Sequence, residues 1–150
     1  MRQTIDFLLH NWLDVTSLSA RPRYKEHNAD TFAQVLDTCE RIARDKYAPF
    51  NRLVDTEEPR QSGDRVILPQ ATHAAWRAYA DSGMLAAAQD ESIGGGMQLP
   101  YTVEAAANAF FAKASVSIGA GMLTVGNANL LMAHGTPRQQ QVFAHAEFDG

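Results

Sequence analysis

"TFAQVLDTCERIARDKY", residues 31–47, is the stretch on which the fold class turns. Phe32, Val35, Leu36, Cys39, Ile42, Ala43 and Tyr47 follow one another at steps of three and four, the spacing that gathers side chains into one stripe of an α-helix. Asp37, Glu40, Arg41, Arg44 and Asp45 fall on the other side, as a solvated face with local ion pairs. Asp30 is placed to cap the helix N-terminus. Pro49, which lacks the N–H that an interior helical turn needs, is expected to end or kink it within residues 45–51.

The same period recurs outward from this helix. Upstream, Thr4 to Leu13 predicts a short helix with Ile5, Leu8, Leu9 and Trp12 on one side, followed by the polar connector "SARPRYKEH". Downstream, "DTEEPRQSGDRVIL" (residues 55–68) breaks the pattern. Ser62-Gly63-Asp64 is turn chemistry, and Val66 to Leu68 suits a very short extended piece. Pro69 opens a helix running to about Ser82, with Gly83 as its stop. Ala71, Ala74, Ala75, Ala78 and Tyr79 form its packing face, with Trp76 on a flank. "MLAAAQDESIGGGMQLP" (residues 84–100) reads as a loop ending where Pro100 or Tyr101 starts the next helix. Val103, Ala106, Ala107, Phe110 and Phe111 are that helix's inner stripe. Near the end, Gly135 fits a C-terminal cap. Thr136, Pro137 and Gln139 match the capping box of a last helix. The expectation is an all-α bundle of five to six helices: residues 1–29 form an extension with a short helix, and residues 30–150 form the helical domain.

Composition narrows the function classes. Of 150 residues, 45% are hydrophobic and 20% charged, a globular balance. A formal charge of −4 argues against nucleic acid as the main partner. The single cysteine, Cys39, excludes an internal disulfide. The N-terminal run is broken by Asp6, His10 and Asp14 and lacks the pattern of a signal peptide. Ala114 to Ala133 is uncharged and has the length of a membrane span, but Ser115, Ser117, Thr124, Asn127 and Asn129 are costly in lipid. The expectation there is a helix buried on most sides in the bundle, and no transmembrane segment.

The glycines invite a phosphate-binding reading, which the spacing rejects. Gly94-Gly95-Gly96 and Gly119-Ala120-Gly121 both lack the third glycine of a dinucleotide fingerprint, and no strand precedes either. Gly121 and Gly126 have phosphate-loop spacing, but Asn127 and Ala128 replace its Lys and Ser/Thr. The triple glycine then serves as a turn, and Gly119, Gly121 and Gly126 permit close helix packing. No pair among His10, His27, His73, His134 and His145 has the spacing of a helical zinc site. The residues alone show no self-contained catalytic set, and they leave open a helical interaction module without catalysis.

Residues 82–95, "SGMLAAAQDESIGG", and 130–141, "LLMAHGTPRQQQ", are similar to two signature segments in the N-terminal helical domain of the flavin-dependent acyl-CoA dehydrogenases. The first segment resembles the family's Gly-Leu turn leading to P-E-E-Y-G-G-x-G, and the second its L-x-x-x-G-T-E-E-Q-K junction. "RPRYKEH" and "YAPFNRLVDTEE" resemble the larger members with an extended N-terminus, some of which act on long-chain or sulfur-containing acyl-CoA thioesters. The resemblance implies an all-α N-terminal domain and a parent enzyme that dehydrogenates an acyl-CoA thioester between its α and β carbons. There a carboxylate removes the α-proton and FAD accepts the β-hydride. It also implies an electron-transfer acceptor, a homo-oligomeric parent and a cytoplasmic location. The flavin-holding β-domain and the catalytic glutamate's helical domain are expected beyond Gly150, so that the fragment by itself is inactive, holds no FAD and contributes no catalytic residue. The acyl-tunnel positions carry over to Ser117, Ile118, Gly121, Met122 and Val125.

Overall fold

The computed structural model describes residues 1–93 and 96–150, and Gly94 and Gly95 of the expected glycine turn lie outside the described residues. The architecture is all-α. Helix α1 (Arg2–Asp6) runs on into wider turns over Phe7–Trp12, and two 3-10 segments (Val15–Ala20, Pro22–Tyr24) connect it to α2 (Ala29–Ile42), itself extended over Ala43–Tyr47. After a 3-10 turn (Ala48–Phe50) come α3 (Asn51–Thr56) and a hairpin of β1 (Arg60–Ser62) and β2 (Arg65–Ile67). Then follow α4 (Gln70–Asp81), a 3-10 turn (Met84–Ala86), α5 (Tyr101–Ala114) and α6 (Val116–Gly119). A 3-10 segment (Ala120–Thr124), α7 (Val125–His134), α8 (Pro137–Gln139), wider turns (Gln140–Ala144) and α9 (His145–Asp149) complete the chain.

The stripe of α2 is the centre of the core. Phe32, Leu36, Cys39, Ile42, Ala43 and Tyr47 are all buried, and Val35 packs at their edge. They meet the α5 stripe of Val103, Ala107, Phe110 and Phe111 and, from α4, Ala75 and Tyr79. Phe111 is the aromatic hinge of the three helices: its ring lies 4.9 Å from Tyr47, tilted, and 5.0 Å from Tyr79, edge-on. The Tyr79 hydroxyl donates to Asn108 Oδ1 at 3.0 Å, whereas the buried Tyr47 hydroxyl has no partner among the described residues. The loop after α4 is itself core, with Met84, Leu85, Ala86, Ala87, Ile93 and Leu99 buried. Gly83, at φ 79°, is the left-handed stop of α4 that the sequence places there.

Several local expectations are corrected. The cap of α2 is Asn28, not Asp30: extended backbone at Asn28 (φ −150°) lets its side chain accept the Thr31 N–H at 2.9 Å, while Thr31 Oγ1 accepts the Asn28 N–H at 2.8 Å. Trp12 is 73% exposed and leaves the side that Ile5 and Leu9 share, because the wider turns over Phe7–Trp12 advance less per residue and rotate it off the stripe. Helix α3 has no counterpart in the sequence reading, and Pro69 is the N-cap of α4 and not its first residue. The Ser62–Asp64 turn exists, but as the tip of a true antiparallel hairpin pairing Arg60 with Ile67 and Ser62 with Arg65. The Thr136–Gln139 capping box is present in full. Gly135 caps α7 with extended backbone, and there the requirement for glycine is steric: a Cβ would lie 2.5 Å from the Leu131 carbonyl oxygen.

The uncharged segment differs most from expectation. It is two short helices joined by a 3-10 segment, and only 19% of the span Val116–His134 is buried. By length and composition alone that span is apolar enough to cross a membrane. Gly126 faces open space with nothing within 4 Å of a would-be Cβ, so close helix packing does not explain it.

Candidate functional site

The break between α5 and α6 creates the candidate site. Ser115 takes extended backbone (φ −166°, ψ 112°), which ends α5, and its hydroxyl accepts the Ile118 N–H at 3.4 Å to start α6. The chain that leaves this corner has a cleft on each side. The first, about 500 Å³, lies between the outer face of α5 (Ala105, Asn108, Ala109, Ala112) and Val116, Gly119, Met122 and Leu123. Its walls are apolar apart from Asn108, which is oriented by the Tyr79 hydroxyl. Gly119 keeps the floor low: a Cβ there would come to 3.0 Å of Met122 Cε. The second cleft, about 550 Å³, lies among α3, the hairpin, α4 and α6. Val54, Leu68, Trp76 and Ile118 form its apolar wall, and Glu57, Thr72, His73 and Ser117 its polar rim. Both volumes fall in the range of small-molecule pockets.

The expected tunnel residues are divided between these clefts. Ser117 and Ile118 line the second, and Met122 lines the first. Val125 packs into the core and lines neither, and Gly121 lies in the 3-10 segment with its surroundings outside the described residues. Sequence reasoning missed the alanine face. Ala105, Ala109 and Ala112 repeat at helical spacing on the side of α5 opposite Phe110 and Phe111, and that spacing was the available signal.

Charge is sparse around the clefts. Glu104 on α5 is half-buried with Oε2 unpartnered among the described residues, and burial pushes its carboxyl pKa up. Burial also raises Tyr79, followed by the nearby Glu104 charge. Cys39, on the buried side of α2, has its thiol pushed up to about 12 by burial, so it is no nucleophile in the folded chain. Among the described residues no group of three or more His, Cys, Asp and Glu is arranged to hold a metal ion. Neither cleft is lined by Lys or Arg, so these two clefts do not by themselves fit the diphosphate of a flavin dinucleotide.

With this geometry in place, comparison with known proteins assigns the class. The chain belongs to the acyl-CoA dehydrogenase family: the profile "Acyl-CoA dehydrogenase, N-terminal domain" matches residues 29–146, from the first residue of α2 into α9. It is similar to the 3-methylmercaptopropionyl-CoA dehydrogenase of Ruegeria pomeroyi, at 29% identity over 136 residues, which is 90% of this chain and 22% of that relative. The chain therefore spans under a quarter of the length of the relative it matches.

Proposed function

We propose that this domain forms one wall of the acyl-binding site in a flavin-dependent acyl-CoA dehydrogenase. The reaction class is α,β-dehydrogenation of an acyl-CoA thioester, with the flavin and the proton-abstracting carboxylate supplied by protein outside these residues. The observation that supports this best is the first cleft: small alanines on α5 facing Gly119 and Met122, with a single polar side chain. Such a surface offers an acyl chain dispersion contacts and excludes water, and gives nothing for a charged group to bind. The Met122 thioether is a soft, adaptable wall that tolerates acyl groups of differing shape. The name of the relative favours a thioether-bearing acyl group as one member of the substrate class. On this reading the 150 residues alone are expected to bind no flavin tightly and to transfer no electrons from acyl-CoA to a dye, as checked by a bound-flavin spectrum and a dye-reduction assay.

The test is a chain-length series in the complete enzyme carrying this domain. Ala109→Leu fills the first cleft and is expected to lower kcat/KM for longer acyl-CoA at least about tenfold relative to the shortest. Ser117→Leu, facing the second cleft, leaves that ratio unchanged. If Ser117→Leu shifts the ratio and Ala109→Leu does not, the acyl group belongs in the second cleft and the assignment is overturned.

A further inference from the structure

The connector between α1 and α2 lies ahead of the matched family domain, yet its polar side chains converge on one loop. Arg23 Nη2 donates to the Ala88 carbonyl at 3.0 Å, and Arg23 Nη1 stands 3.6 Å from Asp90 Oδ2. His27 Nε2 donates to the Met97 carbonyl at 2.8 Å, a bond that requires the proton on Nε2, and its ring stacks on Phe32 at 5.5 Å. Ala88 and Asp90 lie at one end of the glycine-rich loop, Met97 at the other. Between these ends the backbone is laced shut: the Leu99 N–H donates to the Ala87 carbonyl at 2.8 Å and the Gln98 N–H to the Gln89 carbonyl at 2.9 Å. Gly96 lies so close to Asp90 that a Cβ would meet its carbonyl oxygen at 2.1 Å. From the same base, the Gln89 side-chain amide donates to Asn129 Oδ1 on α7.

We propose that Arg23 and His27 are positioning residues. They form a strap from the N-terminal connector that fixes both ends of the glycine loop and, through the Gln89–Asn129 bond, seats α7. Each tie is partly exposed and modest alone. Two ties from one short connector to the two ends of one loop restrain it more than either tie does, because the second forms with the loop already closed. The hold on the loop stands on these contacts alone; a consequence for substrate selection rests in addition on the acyl-wall reading above.

The test is residue-resolved hydrogen exchange on the whole chain, with a melting temperature beside it. His27→Ala and Arg23→Ala are each expected to speed exchange at the Gln98 and Leu99 amides about tenfold. The amides of α2 and α5 and the melting temperature stay as they were. His27→Gln, which keeps a side-chain N–H for the Met97 carbonyl, restores slow exchange. The Asn129 side-chain amide resonance moves in both alanine variants and returns in His27→Gln. Unchanged exchange at Gln98 and Leu99 overturns the strap. So does a uniform rise through α2 and α5 with a lowered melting point, since that is general destabilisation. Faster loop exchange with an unmoved Asn129 overturns the link to α7.

Discussion

Two apolar regions of this chain behave in opposite ways. The α2–α5 pair buries most of its stripe, with Phe32, Leu36, Tyr47 and Phe111 closed to solvent. Residues 116–134 are at least as apolar, yet Val116, Leu123 and Leu130 stand 72%, 81% and 59% exposed. The difference lies in pattern rather than in amount of hydrophobicity. The α2 stripe has one apolar side and one charged side, so a single packing partner satisfies it. The later segment is uncharged nearly all round; α3, α4 and α5 pack on α6, and the turns over Gln140–Ala144 with α9 pack on α7, covering the face that bears Ile118, Val125 and Ala128. An uncovered apolar surface of this kind fits a domain that packs against further protein, in keeping with the acyl-wall reading.

The sharpest contrast comes from truncating one side chain in each region. Phe111→Ala removes the ring that joins α2, α4 and α5 and is expected to cost about 3–5 kcal/mol in denaturant unfolding. A loss under about 1 kcal/mol would mean that the core is looser than its geometry. An intermediate effect is expected at Glu104, on the helix shared by both regions. Its folded pKa is raised by burial, so its ionisation weighs against folding. That part of the stability is fully present below the ordinary carboxyl range and is lost as pH rises through the elevated value. Glu104→Gln should therefore raise stability near neutral pH and have no effect in acid, as read from melts across a pH series. The smallest stability change is expected on the exposed side. Leu123→Ser with Leu130→Ser should alter unfolding free energy by under about 0.5 kcal/mol while reducing binding of a hydrophobic dye. If the pair unfolds the chain, the exposed segment is structural after all and the contrast fails.

What could be read in advance follows the same division. The α2 and α5 stripes, the left-handed Gly83 and the Thr136 capping box are encoded locally, by spacing or by a few adjacent residues. Helix α3 was not legible because, with only Val54 partly covered, it has no stripe. Asn28 and Asp30 are both cap-forming residue types, and the extended backbone at Asn28, which sequence does not dictate, makes it the cap. The arrangement of the expected wall residues was not legible in the same way. Ser117, Ile118, Gly121, Met122 and Val125 are expected on one wall, but Ser115 turns the chain so that Ser117 and Met122 face different clefts. That turn depends on backbone angles no residue type dictates.

The lone thiol of Cys39 lies on the buried side of α2, the helix that packs on α4 and α5. The thiol lies at the bottom of a cleft lined by Val35, Thr38, Met84 and Met97, so an alkylating reagent reaches it when α2 parts from Met84 and Met97, and meets a thiolate only once burial no longer holds the proton on sulfur. The rate of labelling thus counts openings of the core directly. Fraying of the exposed α7 leaves that clock unmoved, so one sulfur atom distinguishes breathing at the surface from parting at the centre.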